Sequence, residues 1–403
     1  MKRLHSLFAT LALLCLFGNP VAPHGSAQDV TIEVKTDNDS TVKVKKKGKS
    51  KPPFAGQRPE VNVAILLDTS NSMDGLINQA KSQLWNIVQE FAKAKKNGKT
   101  PLLRVSVFEY GNTRLPASED YIRQVAQLTD DLDKVSEALF ALTTSGGDEY
   151  CGAVIAESVK RLDWSSEPNA YKAIFIAGNE PFDQGSVDFQ GACKNAIQSG
   201  IVVNTIHCGN YQQGVDGKWQ KGAQLAEGKF MNINQDEKVT HIPAPQDKII
   251  IELNTSLNQT YLWFGSQDKR EGYALNQMQQ DSNAGSSLSS RALIKSSPLY
   301  RNVGRDLVDT FEENPAAIVK LGDAELPKEL QGLTSKQRLA RIEEMSKRRA
   351  EIKSQLADAN RQREAFIADQ QAKQAASSSE VTLGDAFKAA VQEQLQTSGF
   401  EVE

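Results

Sequence analysis

"VNVAILLDTSNSMDG", residues 61–75, decides the fold. The run is apolar from Val61 to Leu67, which suits a strand covered on both faces, and it stops on Asp68 with hydroxyls following at Ser70 and Ser72. Directly after it, "LINQAKSQLWNIVQEFAKAK" sets Leu76, Ala80, Leu84, Ile87, Val88 and Phe91 on one helical face. A buried strand leading into an amphipathic helix is the repeating unit of a parallel sheet.

The unit recurs downstream. Strand-like runs "LLRVSVFEYG", "IRQVAQLT", "YKAIFIAGN", "IVVNTIHCG" and "KFMNINQ" alternate with amphipathic helices. The last of those helices is "PQDKIIIELNTSLNQTYLWFG". This predicts an α/β, doubly wound, mostly parallel Rossmann-like sheet over residues 61–265. Composition then turns polar and serine-rich at "SQDKREGYALNQMQQDSNAGSSLSS", which places a domain boundary there, and residues 266–403 read as a helical C-terminal region. Within it, residues 336–375 carry a coiled-coil-like spacing of Ile342, Met345, Ile352, Leu356, Ala359 and Phe366, interrupted by Arg349 and Arg363. The segment is either an intramolecular helical hairpin or a partner-binding coil. A final amphipathic helix follows, started by Ser379 or Thr382.

The N-terminus pairs Lys2 and Arg3 with an apolar stretch from Leu7 to Phe17 and small residues ending at Ala27. That is the layout of a secretory signal peptide over residues 1–27, cleaved near Ala27, with export to the periplasm or outside the cell. Its apolar core is too short to span a bilayer, and no transmembrane segment is expected in the mature chain. Residues 28–60 form a leader and linker rich in lysine, six of them in "VKVKKKGKSK" at 42–51. The stretch before it is either a hairpin or irregular. A net charge of −3 gives no reason to expect a nucleic-acid partner.

In parallel sheets, ligands gather at the carboxyl ends of the strands. Asp68 with Ser70 and Ser72 offers a carboxylate and two hydroxyls, an oxygen-only set that suits Mg²⁺ first and Mn²⁺ or Ca²⁺ next. The competing use of the same residues is to cap the following helix. In this setting the stretch resembles the metal-ion-dependent adhesion site, written D-x-S-x-S, of the von Willebrand factor type A family. The resemblance covers residues 61–265. It implies a bound divalent cation with one position open to an acidic side chain of a partner protein.

Two further loops of such a site depart from the family pattern. In "LTTSGGDEYCGAVI" the expected threonine is represented by Thr144, but Asp148 lies nearer the next helix and is the preferred replacement ligand. In "IAGNEPF" Gly178 stands where an aspartate is expected, which leaves Glu180 or water as the third donor. Asp68, Asp148, Glu149 and Glu180 around one cation would cancel its charge and weaken the attraction for an anionic partner.

After the signal, Cys151, Cys193 and Cys208 permit one disulfide or none, and His207 and His241 are too few for histidine-based hydrolysis. No nucleophile elbow or phosphate loop appears. The expected function is therefore an exported, non-enzymatic protein-binding module built on a metal site. The alternative is a structural scaffold with a vestigial site, whose helical tail carries the interaction.

Overall fold

The chain divides into two units, Met1–Gln57 and Arg58–Glu403, and the computed structural model describes residues 30–35, 41–46, 58–234, 236, 242–374 and 383–402. In the first unit β1 (Val30–Lys35) and β2 (Thr41–Lys46) form an antiparallel hairpin that pairs Ile32 with Val44 and Val34 with Val42. The proposed signal peptide at 1–27, His241 and the capping candidates Ser379 and Thr382 lie outside the described residues.

The second unit opens with β3 (Glu60–Asp68), α1 (Asp74–Ala92), the short β4 (Ala94–Lys95), β5 (Leu102–Tyr110), β6 (Ile122–Thr129) and α2 (Leu132–Phe140). It continues with α3 (Cys151–Arg161), β7 (Tyr171–Gly178), α4 (Phe189–Gln198), β8 (Val202–Cys208), α5 (Tyr211–Asp216), α6 (Trp219–Leu225) and β9 (Phe230–Ile233). The rest is helical apart from one terminal strand: α7 (Gln246–Asn258), α8 (Gln267–Ala284), α9 (Leu288–Ser296), α10 (Leu307–Glu313), α11 (Pro315–Val319), α12 (Ser335–Gln374), α13 (Leu383–Thr397) and β10 (Glu401–Val402). No helix of the described residues is long and apolar enough to cross a membrane.

Six strands form one sheet in the order β6-β5-β3-β7-β8-β9, parallel except for β6 at the edge. The apolar runs read from the sequence are the central strands, and their alternation feeds two cores. Val61, Val63 and Leu67 of β3 face one layer with Ala173 and Phe175 of β7. Ala64 and Leu66 face the other with Ile174 and Ile176, beneath α3, α4 and α6.

The first layer is closed from far along the chain. Beside α1 lies α13, burying Leu383, Ala386, Phe387, Ala390, Val391 and Leu395. Phe387 stacks on Phe175 with ring centroids 4.1 Å apart. Gln394 is held between Asn204 (Nε2 to Oδ1, 2.6 Å) and the Tyr171 hydroxyl (2.7 Å), and the Leu383 amide donates to Gln79 at 3.0 Å. Each fully buried leucine, valine or phenylalanine here contributes about 1.5–3 kcal/mol. β10 then pairs with β4. The C-terminal helix is thus part of the sheet layer, although the break in composition comes more than a hundred residues earlier.

Residues 335–374 form a single 40-residue helix, not a helical hairpin, and this helix packs against α7, α9 and α10. The two arginines that break its apolar seam are its anchors. Arg349, 2% exposed, donates to Asp306 at 2.7 Å, to Asp309 at 2.9 Å and to the Thr260 hydroxyl at 2.9 Å, and its guanidinium lies 4.2 Å from the Tyr261 ring centroid. Arg363 pairs with Asp247 at 2.7 Å. A second buried network joins helices to sheet layer: Arg291 bridges Asp281 (2.6 Å) and Asp133 of α2 (2.7 Å), while the Tyr300 hydroxyl donates to Asp133 at 2.6 Å. Burying these charges is tolerated because every one of them is paired.

Candidate metal centre at the carboxyl edge

Three loops meet where β3 ends. The Thr69 amide donates to the Tyr110 carbonyl at 2.9 Å, the Ser145 amide to the Thr69 carbonyl at 3.0 Å, and the Thr113 amide to the Gly146 carbonyl at 2.7 Å. These backbone bonds fix how the 143–150 loop enters the site. Asp68 forms the floor and is fully buried. Its Oδ1 accepts from the Ser70 amide at 2.7 Å, and its Oδ2 has no hydrogen-bond partner. A buried carboxylate oxygen left bare is costly, so it points to something that the protein alone does not supply.

The two serines stand beside it. Ser70 Oγ and Ser72 Oγ are 3.2 Å apart, and Asn179 Nδ2 donates to Ser72 Oγ at 3.2 Å. Burial pushes the Asp68 carboxyl up to about 7, the nearby Glu180 charge adding to the rise while the Ser70 hydrogen bonds oppose it. Glu149, also buried, is pushed up to about 8 by burial first, then by the charges of Asp68 and Glu180. These are carboxylates short of positive charge, facing one another.

Asp148, adjacent to Glu149, is exposed and accepts from the Tyr150 hydroxyl at 3.2 Å. The Thr144 hydroxyl donates to Asp74, which begins α1. Glu180 is half-buried, with Oε2 accepting from Gln184 at 3.4 Å. Asp68, Ser70 and Ser72 thus come together with Glu149, and Glu180 lies near enough for its charge to act on both acids. Nothing in the composition of "GGDEY" separates its two adjacent acids. Only the direction of the turn does, and the Thr113–Gly146 bond sets it.

The missing aspartate of the third loop has a steric explanation. A Cβ on Gly178 would lie 2.6 Å from the Tyr110 hydroxyl and 3.1 Å from Asp68 Oδ2, so no side chain fits. Tyr110, whose hydroxyl donates to the Ala177 carbonyl at 3.0 Å, occupies that space. Gly178→Ala is expected to cost about 1–3 kcal/mol through overpacking, read as a lower urea midpoint at unchanged m-value. A neutral result would mean that Tyr110 can move aside. From the far side, His207 spans the Asn232 side chain (2.9 Å) and the Asn179 carbonyl (3.3 Å), steadying the third loop from below.

Cys151, Cys193 and Cys208 are all buried free thiols. Burial holds each in the protonated form, Cys193 up to about 12, so none is poised as a nucleophile or a thiolate ligand. Among the described residues, no three or more histidine, cysteine, aspartate or glutamate side chains stand in ready-made metal geometry. The donors that fit a cation are mixed, carboxylates with hydroxyls. An all-oxygen set with a bare buried carboxylate oxygen suits a hard divalent ion.

A parallel sheet with such a pocket at the end of its first strand defines a class of domain. A sequence model of the von Willebrand factor type A domain matches residues 62–239, and the strand order and flanking helices are those of a von Willebrand factor type A, Rossmann-like fold. No curated protein matches the chain. Among solved structures, proximal thread matrix protein 1 from the mussel byssus is 13% identical, with 45% of this chain and 43% of that one covered and a TM-score of 0.33. The match therefore spans less than half of the mussel protein, which has also been solved with zinc occupying its metal-ion-dependent adhesion site motif. The SpRpn10 von Willebrand factor type A domain is 16% identical, covering 45% of this chain and 90% of its own at a TM-score of 0.33. Conserved hypothetical protein BatB from Bacteroides thetaiotaomicron is 16% identical, covering 43% and 90% at a TM-score of 0.33.

Proposed function

We propose that the protein is an exported, non-enzymatic interaction module that presents a divalent cation at the carboxyl edge of its sheet to a partner protein. The observation that carries this reading is the buried Asp68 Oδ2 without a partner, set beside the hydroxyls of Ser70 and Ser72. Those three residues and Glu149 would hold the ion, with Glu180 at its margin. Mg²⁺, Mn²⁺ or Ca²⁺ would neutralise carboxylates that burial otherwise disfavours. Domains of this family generally act in protein binding.

The test is calorimetric titration of Mg²⁺, Mn²⁺ and Ca²⁺ into the full chain at two pH values. Asp68 and Glu149 must lose protons to bind metal, and they do so near 7 and 8, so affinity is expected to rise steadily from pH 6 to pH 8. Binding that ignores pH over that window would place the ion elsewhere.

A scaffold with a vestigial site is favoured by one observation, the lack of three clustered ligand side chains of the usual metal-binding types among the described residues. Absence of heat with any of the three ions would establish it. The helical tail could not then be assayed alone, because α9 and α13 share a core with the sheet.

A further inference from the structure

The loops at the carboxyl edge have an unusual charge balance. Loops 111–121, 143–150, 179–188 and 209–218 carry 2, 2, 3 and 1 acidic residues against 1, 0, 0 and 1 basic ones. Loops at the opposite edge are balanced: 93–101, 130–131, 162–170 and 226–229 carry 0, 2, 2 and 1 acids against 4, 0, 0 and 1 bases. Glu119, Asp183 and Asp216 of the acidic edge are exposed, and none forms an ion pair among the described residues. At the centre of this edge lies the independent feature already described, the fully buried Asp68 oxygen with no partner.

The edge also carries aromatic faces suited to cations. Tyr211, 55% exposed, stands at the start of α5 after β8. On the other side of the site, Tyr121 and Tyr150 lie with ring centroids 6.1 Å apart. Asp120, which closes the short 3-10 turn Ala117–Glu119, and Tyr121 are both left-handed, at φ 53° and 54°. Aromatic faces among unpaired carboxylates are what lysine and arginine side chains bind.

A bound divalent ion does not reverse this balance. It supplies two positive charges against the carboxylates of Asp68, Glu149 and Glu180, and the exposed acids of the rim remain. An incoming carboxylate would meet net negative charge on three of the four loops, 111–121, 143–150 and 179–188. We infer that the carboxyl edge docks a lysine- or arginine-rich polypeptide segment, not the acidic side chain that completes adhesion sites of the resembling family. The inference rests on the reading of this edge as the binding surface and specifies the chemistry of its partner.

The experiment compares two fluorescent probes on the full chain, a short peptide of alternating lysine and serine and its glutamate counterpart, by anisotropy with Mn²⁺ and with chelator. The lysine peptide is expected to bind and to weaken as salt rises from about 50 to about 200 mM. Its affinity should fall about tenfold in the triple variant E119Q/D183N/D216N, which alters no proposed metal ligand. The glutamate peptide should not bind in either condition. Metal-dependent capture of the glutamate peptide, or lysine-peptide binding untouched by the triple variant, overturns the inference. Calorimetry on the same preparations separates the two readings: Mn²⁺ heat without lysine-peptide binding refutes this inference alone, and lysine-peptide binding without Mn²⁺ heat refutes only the metal.

Discussion

Replacing Arg349 with methionine is expected to lower stability by about 3–5 kcal/mol. Among the described residues, this guanidinium is the only cation within bonding distance of both Asp306 and Asp309, and these carboxylates are 0% and 7% exposed. Asp306 also accepts from the Leu262 amide at 2.6 Å, so it cannot turn to solvent without breaking the start of the helical region. Burial and the neighbouring Asp306 already push the Asp309 carboxyl up, and removing the arginine would leave two like charges facing each other. Urea unfolding reads the effect. Adding Asp309→Asn should recover part of the loss, since one unpaired charge is then removed. A cost below about 1 kcal/mol would mean that water reaches the network.

Asp68→Asn is expected to act in two directions at once. In the folded, metal-free chain Asp68 titrates near 7, above the ordinary aspartate value, so the folded state binds a proton that the unfolded state releases. Stability therefore falls as pH rises from about 4 to about 7 and stays low above that. Asparagine keeps the acceptor for the Ser70 amide and removes the charge. The variant should match wild type at pH 4 and exceed it at pH 8 by on the order of 2–3 kcal/mol. If the proposed metal site holds, the same change should abolish any stabilisation of the wild type by Mg²⁺ or Mn²⁺, because a ligand bound by the folded state alone stabilises it. Thermal melts at both pH values, with and without metal, decide it. A variant less stable than wild type at pH 8 would show that Asp68 has a structural partner and is not waiting for a ligand.

The sheet was legible because burial on both faces leaves a direct trace in the sequence, the unbroken apolar runs of β3, β7 and β8. Asp68, Ser70 and Ser72 were legible for a related reason, since the end of such a strand is where oxygen-bearing side chains have a use. Glu149 was not separable from Asp148, because two neighbouring acids in a glycine-rich loop differ only in which way the backbone turns. Gly178 read as a lost ligand, and its tight contact with Tyr110 became visible only when β5 and β7 were set on either side of β3. The place of α13 was hidden most deeply. Its apolar stripe announces a helix that must be covered, but no local feature says that the cover is Phe175 on a strand two hundred residues earlier. Arg349 and Arg363 misled for the opposite reason: an arginine in an apolar seam reads as a defect until the buried acid opposite it is known.

The position of α13 also bears on how the chain reaches its folded form. The bond from the Leu383 amide to Gln79 spans 304 residues, and that from Gln392 to Glu90 spans 302. Until α13 arrives, Phe175 lacks its stacking partner and the layer that α1 begins to cover stays incomplete. Contacts this distant are entropically slow to form and place the molecule among slow folders. If the chain is threaded through a membrane from its N-terminus, as the proposed export requires, such lateness would be useful: the sheet would lock only after α13 had crossed.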